Sequence, residues 1–425
     1  GLGSNFLPVG FYYKTFIRPK ALWPTYEKIL RNAAGLGHVN SDIPNVYYDK
    51  KYVFADVLVV GGGPAGMNAA LTAADAGAQV LLLDENPYLG GHLAYERHDI
   101  KEENGNRLPA YTLANQLAQR VTDHPHIRVA LHTMAFGIYQ HLWIGAVQND
   151  TRLLKIRTKT LVVANGAFEQ PLIFENSDLP GVMLGSAARR LMHLYGVAPG
   201  KRAVVMSANR DGLQAALDLA AAGVEVAKVV ELRDEPDEDL RHKLAAAGVA
   251  VVTDQVVIEA RGNEALTGII LAKIEKQKPL TARGLKPVTG PTAYIGCDLL
   301  VNSVGWTPAT GLLYQAKAKL GYDDVRGEFL PIQLPPYVFA AGRVNGSYSP
   351  RLEALEGRLA GAAAAAAVEL GDERVEDLRR QVAALKQEEP VRTSRLIHVP
   401  GGKHQFVSFD EDVTVKDIRD AIAEG

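Results

Sequence analysis

Apolar runs of two kinds alternate along this chain. Short runs of β-branched and aliphatic residues read as buried strands, and longer ones in which small apolar residues recur every few positions read as helices. "ADVLVV" is of the first kind, with its strand pattern over Asp56 to Val60, and "AGMNAALTAADAG" is of the second. A further apolar run, "AQVLLLDE", ends in Asp84 and Glu85. The same order of patterns returns at Lys201 in "KRAVVMSANRDGLQAALDLAAAGVEVAKVVELRDE", which predicts strand, helix and strand. Repeated strand–helix–strand units place the chain in the α/β class, with parallel sheets.

The turn after the first strand carries Gly61, Gly63 and Gly66, a G-x-G-x-x-G spacing directly between strand and helix. With an acid about twenty residues further on, this is the context that a dinucleotide fingerprint requires. Gly61 allows the tight turn, Gly63 lets the backbone approach a pyrophosphate, and Gly66 brings helix and strand together. The helix N-terminus then offers N–H groups and partial positive charge to the phosphates. Asp84 is placed to accept from the adenosine ribose hydroxyls, and a carboxylate there disfavours a 2′-phosphate. The second turn reads Ser207-Ala208-Asn209-Arg210-Asp211-Gly212, with only the last glycine in place. Side chains at Ser207 and Asn209 would crowd a pyrophosphate, so this unit is expected to have lost its nucleotide.

Two such units, the second inserted into the first, imply a two-dinucleotide-binding-domain (glutathione-reductase-like) Rossmann architecture. The dinucleotide-binding domain is expected over 51–170 and 295–370, with "CDLLVNSVGWTP" as the strand that re-enters it, and the inserted Rossmann-like domain over 171–294. "KTLVVANGAFEQPLIFENSDLPGVM" closes the first half through Asn165 and Gly166, and "YVFAAGRVNG" followed by "EALEGRLAGAAAAAAVEL" supplies a last strand and helix. Gly357 and Gly361 would let that helix lie close to a neighbour or to the cofactor.

An N-terminal arm, 1–50, is rich in aromatic and basic residues. In it "WPTYEKILRNAAGLG" has helical punctuation, with Pro24 and Thr25 near its start and Gly35 near its end. It reads either as a leader helix packed on the core or as an arm reaching another chain. A C-terminal helical arm, 371–425, begins with a charged amphipathic stretch. It ends in "VKDIRDAIAEG", a helix that Thr414 or Asp412 could cap. The absence of an initiator Met suggests processing or a missing upstream part, and a last helix that would need a partner suggests truncation.

Composition narrows the partners. With 425 residues, 47% hydrophobic and 22% charged, the chain suits two or three packed domains. A net charge of −2 argues for neither nucleic acid nor an anionic membrane, and no run reads as a membrane span. The one cysteine, Cys297, excludes an intrachain disulfide, a C-x-x-C pair or a four-cysteine iron–sulfur site within the chain. It reads as a small core residue, and a reducing, cytoplasmic setting fits. His124 and His126 lack companions at metal spacing and read as surface residues, so no metal is expected.

The stretches "LPVGFYYKTFIRP", "DVLVVGGGPAG", "ANGAFEQPLIFENSDLPGVM" and "FVSFDEDVTVKDI" together resemble the α subunits of heterotetrameric sarcosine oxidases. Related chains occur in multi-subunit proline and opine dehydrogenases. The resemblance implies a flavin-dependent oxidoreductase subunit that binds NAD⁺ at Gly61–Gly66 and helps to hold FMN at a subunit interface. A partner β subunit, with small γ and δ subunits in some complexes, would carry the flavin that oxidises a secondary amine such as sarcosine. FAD at Gly61–Gly66 is the alternative occupant. The candidate cofactor-binding residues are Gly61, Gly63, Pro64, Ala65, Gly66, Asp84, Glu85, Gly91, His92, Ala135, Asn165, Gly166, Gly342 and Arg343; no catalytic residue is assigned.

In many flavoproteins of this architecture an Asp follows the glycine of the last strand and binds the flavin ribitol; here that residue is Arg343. A buried cation needs an anionic partner, for which a cofactor phosphate is one possibility. His92 reads as a phosphate contact or as an ordinary polar loop residue. Two other functions share the fold: a stand-alone NAD(P)H-dependent FAD oxidoreductase, and a non-catalytic scaffold stabilised by nucleotide.

Overall fold

The computed structural model describes residues 19–33, 42, 47–101, 105–233, 235–276, 285–287, 290–324, 326–371, 373–388, 398–401 and 404–424. The expectations for "LPVGFYYKTFIRP" up to Arg18, and for the helix end at Gly35, lie outside them. The chain divides into two units, Gly1–Tyr48 and Asp49–Gly425. The first contributes helix α1 (Trp23–Ala33), where Arg31 pairs with Glu27 one turn earlier at 3.0 Å.

In the second unit, β1 (Asp49–Val60), α2 (Pro64–Asp75) and β2 (Val80–Leu83) form the first βαβ unit. β3 (Ile127–Ala130), β4 (Thr133–Tyr139), β5 (Trp143–Gln148) and β6 (Arg152–Val163) extend its sheet in the order β3-β2-β1-β6-β5-β4. β6 runs parallel to β1 over its whole length. On its other edge its first half pairs antiparallel with β5, and its last three residues pair parallel with Val338–Ala340. The helical face of this sheet is filled by small side chains, among them Ala69, Ala70, Ala73 and Ala74 of α2, all buried with Val57, Val59 and Leu82.

β7 (Ala167–Gln170) leaves this sheet, and a second parallel sheet follows. It is built from β8 (Val182–Leu184), β9 (Arg202–Ser207), β10 (Glu225–Glu231), β11 (Val251–Val252) and β12 (Leu299–Ser303), in the order β8-β12-β9-β10-β11. Helix α3 (Arg210–Ala221) joins β9 to β10. Gln255–Gly262, Leu266–Lys276 and Ala293–Gly296 form an antiparallel sheet that packs its Val256, Val257, Ile269 and Leu271 on the other face. This corrects one expectation. The strand in "CDLLVNSVGWTP", placed by sequence in the first domain, lies inside the second sheet between β8 and β9. A fully apolar parallel strand looks alike in either sheet, and only pairing tells them apart. The return runs instead through β13 (Gly305–Pro308), antiparallel to β7.

After β14 (Val338–Ala340), helix α4 (Pro350–Ala366) crosses α2 at very short range. A Cβ on Gly357 would come within 2.1 Å of the Ala65 carbonyl oxygen, and one on Gly361 within 2.2 Å of that of Ala69. The two glycines therefore serve helix–helix packing. On its other side α4 buries Leu352, Leu355 and Ala362 against Leu378, Val382 and Leu385 of α5 (Val375–Glu388). Of the two residues offered as a cap for α6 (Val415–Glu424), Thr414 takes the role. Its Oγ1 accepts from the Asp417 N–H at 3.3 Å while Asp417 accepts from the Thr414 N–H at 2.8 Å.

Candidate cofactor site

The first glycine turn is shaped by what its glycines touch. At Gly61 (φ +104°) a Cβ would lie 2.3 Å from the Ala164 carbonyl oxygen, and at Gly66 it would lie 1.8 Å from the oxygen of Gly61. These two contacts press α2 onto the strand ends. Gly63 differs: its nearest atom would be Gly91 Cα at 3.9 Å, so that side stays open. Gly63 is also the N-cap of α2, with Pro64 in the first turn and no side-chain cap. The first-turn N–H groups thus have no side-chain acceptor, the arrangement that favours an anion.

This turn borders a cavity of about 720 Å³. Gly61, Gly63, Pro64, Ala65, Asp84, Glu85, Gly91, His92, Ala135, Asn165, Gly166 and Arg343 all line it. Gly66 and Gly342 stand behind, where Gly342 (φ +80°) gives its N–H to Glu356 at 2.8 Å. Asn165 donates from Nδ2 to the Ala309 carbonyl, while its buried Oδ1 has no hydrogen-bond partner among the described residues. An open glycine cradle, an uncapped helix start and an orphaned acceptor fit a dinucleotide. Asp84 has a different duty from the one expected. Its Oδ2 accepts from the Gly62 N–H at 2.6 Å and its Oδ1 from the backbone and side chain of Asn86, so it braces the loop. The carboxylate beside it with an exposed side chain is Glu85.

The inner end of the cavity is ionic. Arg343 is buried, and its partners are carboxylates of the protein: Glu353 at 3.1 Å and Glu96 at 3.6 Å. The expectation of a cofactor phosphate beside it gives way to these two. The guanidinium lies 4.8 Å from the centre of the Trp306 ring. His92 is neither a loop residue in water nor set apart for phosphate. Its Nδ1 meets Glu96 at 2.9 Å and its Nε2 meets Glu353 at 2.7 Å. Carboxylates on both nitrogens favour the protonated ring. Burial and Arg343 push its pKa down, but Glu353 and Glu96 outweigh them and leave it raised. Burial works to raise the Glu96 carboxyl, yet His92, Arg189 and Arg343 bring it down to about 2.

The second turn is closed by its own side chains. Asn209 Oδ1 accepts from the Gly212 N–H at 2.9 Å and so caps α3, a contact worth about 1 kcal/mol. Ser207 Oγ donates to Glu231 at 3.0 Å, and Glu231 also holds Arg233 through two bonds of 2.9 Å. A separate crevice of about 570 Å³ lies beside this turn, bordered by Arg210, Asp237, Trp306, Tyr348 and Arg343 among others. Cys297 is buried in the core, where burial and Asp298 push its thiol up to about 11. His126 is exposed and bonded to Gln79, and His124 faces Asp75. Among the described residues no cluster could hold a metal ion, and no helix is long and apolar enough to cross a membrane.

Sequence reasoning missed Glu96, Glu353 and Trp306. The signal for Glu353 was present: "EALE" puts two acids, Glu353 and Glu356, three positions apart in a helix rich in small and apolar residues, and both prove buried. Residues 55–367 match the pyridine nucleotide-disulphide oxidoreductase family. The chain belongs to that family.

Within it, the chain is 32% identical over 450 aligned positions to the alpha subunit of sarcosine oxidase from Rhizobium meliloti (strain 1021), covering 100% of this chain and 42% of that protein. It is 28% identical over 410 positions to one of the subunits of opine oxidase from Rhizobium meliloti, covering 87% and 76%. The crystal structure of L-proline dehydrogenase from P. horikoshii matches with a TM-score of 0.70 at 21% identity, over 89% of this chain and 68% of that one. This last likeness bears on the fold, and the resemblance read from the motifs is borne out by the first. The chain spans about two-fifths of the length of its sarcosine oxidase relative.

Proposed function

We propose that the chain is the α subunit of a multi-subunit, flavin-dependent amine oxidase or dehydrogenase of the sarcosine oxidase type. In this reading it binds NAD⁺ in the cavity at Gly61–Gly66 and contributes to an FMN site at an interface, while a β subunit oxidises a secondary amine such as sarcosine. The observation that carries the reading is the uncapped N-terminus of α2 opening on a cavity that holds the orphaned Asn165 Oδ1. The first-turn N–H groups of α2 would meet the pyrophosphate, and Glu85 would accept from ribose hydroxyls. A bound dinucleotide would supply charge and rigidity at the strand ends, and an interface flavin would supply the redox centre.

Exposed Met134, Phe136 and Phe168 rim the mouth of the cavity, which supports a partner surface there. The self-capped second turn weighs against a stand-alone NADH-using reductase. The test is a visible spectrum of the chain, alone and with its partners, followed by mass spectrometry of the nucleotides released on denaturation. A colourless chain that releases NAD⁺, with FMN only in the complex, is expected. A yellow chain that releases FAD and is bleached by NADH would overturn the reading.

A further inference from the structure

The helix Gly185–Tyr195 follows β8 and packs on the second sheet, with Ala188 and Met192 against Val205 and Leu213. It carries two adjacent arginines that are used differently. Arg189 is buried and spent on Asp218 at 2.7 Å. Arg190 reaches away from that core and lines the glycine-motif cavity. Its partners there are neutral: it donates to Asn86 Oδ1 at 3.0 Å and to the Tyr88 hydroxyl at 3.4 Å. No carboxylate among the described residues forms an ion pair with it.

Asn86 and Tyr88 lie just beyond Asp84, past the end of β2, where a Rossmann site holds the adenosine ribose. Asn86 also donates to Asp84 at 2.9 Å, and Asp84 accepts from the Gly62 N–H at 2.6 Å. Arg190 is thus tied by a chain of hydrogen bonds to the glycine turn itself. A guanidinium at this end of the cavity can serve the flat purine or a phosphate on the ribose. Glu85, whose exposed carboxylate lines the same cavity, repels a phosphate. A purine carries no charge, and a planar cation lies well against the face of such a ring.

We infer that Arg190 is the adenine-binding residue of the glycine-motif cavity. The pyrophosphate would be met from the first sheet, through the start of α2, and the base from the second, so that one nucleotide bridges both. The inference rests on the reading that an adenine nucleotide fills this cavity. It does not depend on which one, because NAD⁺ and FAD share the adenosine half.

The experiment is calorimetric titration of the full chain, stripped of nucleotide, with AMP and with ribose 5-phosphate, which keeps the sugar and the phosphate and lacks the base. Arg190→Ala is expected to weaken AMP binding about tenfold and to leave ribose 5-phosphate within about twofold. Arg190→Lys keeps charge and reach but loses the plane, and should weaken AMP about threefold. Equal losses for the two ligands would make Arg190 a brace of the loop and overturn the inference, as would unchanged AMP binding. So would a wild-type preference for 2′-phospho-AMP over AMP that Arg190→Ala removes, since the side chain would then read a ribose phosphate. Nucleotide identity is scored separately, by mass spectrometry of what the protein releases. Release of FAD fails the functional reading and leaves the AMP comparison to judge Arg190. A wild type that binds neither AMP nor NAD⁺ sinks both.

Discussion

In the unit of β1, α2 and β2, glycine stands at each of the three places where the turn needs room, and α2 starts with no side chain across its N-terminus. In the unit of β9, α3 and β10, Ser207 and Asn209 fill the first two places, and Asn209 takes up an N–H that a phosphate would otherwise meet. The acids near the two second strands differ as well. Asp84 braces the backbone of an open loop, while Glu231 is consumed by Ser207 and Arg233. One supersecondary plan thus yields a site ready for an anion and a site that satisfies itself. The difference lies in a handful of side chains at the helix start, and fold alone does not carry the function.

The third glycine of each turn gives the largest test of this contrast. An added methyl at Gly66 meets backbone, the Gly61 oxygen at 1.8 Å, whereas at Gly212 it meets the Ser207 side chain, with Oγ at 2.6 Å and Cβ at 2.7 Å, and the Ser303 carbonyl oxygen at 3.1 Å. Gly66→Ala is expected to cost about 3 kcal/mol in urea unfolding, and Gly212→Ala about 2 kcal/mol, because the overlap at Gly212 is shallower and part of it is relieved when the Ser207 hydroxyl turns away. Equal costs would mean that the two turns do not differ in this way.

The neighbouring acids separate bracing from binding. Asp84→Ala should lose about 2 kcal/mol, the worth of charge-assisted bonds to Gly62 and Asn86. Glu85→Gln, at an exposed position, should leave stability within about 0.5 kcal/mol. It should weaken dinucleotide binding about tenfold, or about 1.4 kcal/mol, measured by calorimetry on protein stripped of nucleotide. The reverse pattern would return the ribose contact to Asp84.

The smallest effect is a pH dependence carried by the cluster of His92, Glu96 and Glu353. The pKa of His92 is raised from 6.5 in the folded protein, so the stability it contributes is complete below 6.5 and is lost as pH rises through the elevated value. Glu96, lowered from 4.5 to about 2, contributes stability above 4.5 that is lost only as pH falls toward 2. As pH rises above 6.5 and through that elevated value the melting temperature should fall by about 2 °C. His92→Gln should be less stable at neutral pH and should lack this slope. A slope unchanged in that variant would assign it to another group.

Much of this was legible in the sequence. Both βαβ units, the open first turn and the crowded second one follow from residue spacing, because local sterics decide them. What was not legible depends on partners remote in sequence. Arg343 finds Glu96 on the far side of the inserted domain in sequence, and His92 finds Glu353 261 residues on. The place of Leu299–Ser303 in the second sheet is of the same kind, set by pairing with Arg202–Ser207 and not by its own composition. The reach of Arg190 from beside the second sheet into the glycine-motif cavity needs three dimensions outright.

The close packing of α4 on α2 has a consequence for how the protein is made. Ala65 and Gly357 touch across roughly 290 residues of chain, a separation that makes such contacts late and slow to form. A ribosome will have released the glycine turn long before it synthesises the helix that backs it. Until then α2 lacks the surface that Gly357 and Gly361 provide, and His92 lacks Glu353. The nascent first half is thus exposed to misassembly, and the glycine-motif cavity is completed only when α4 has emerged.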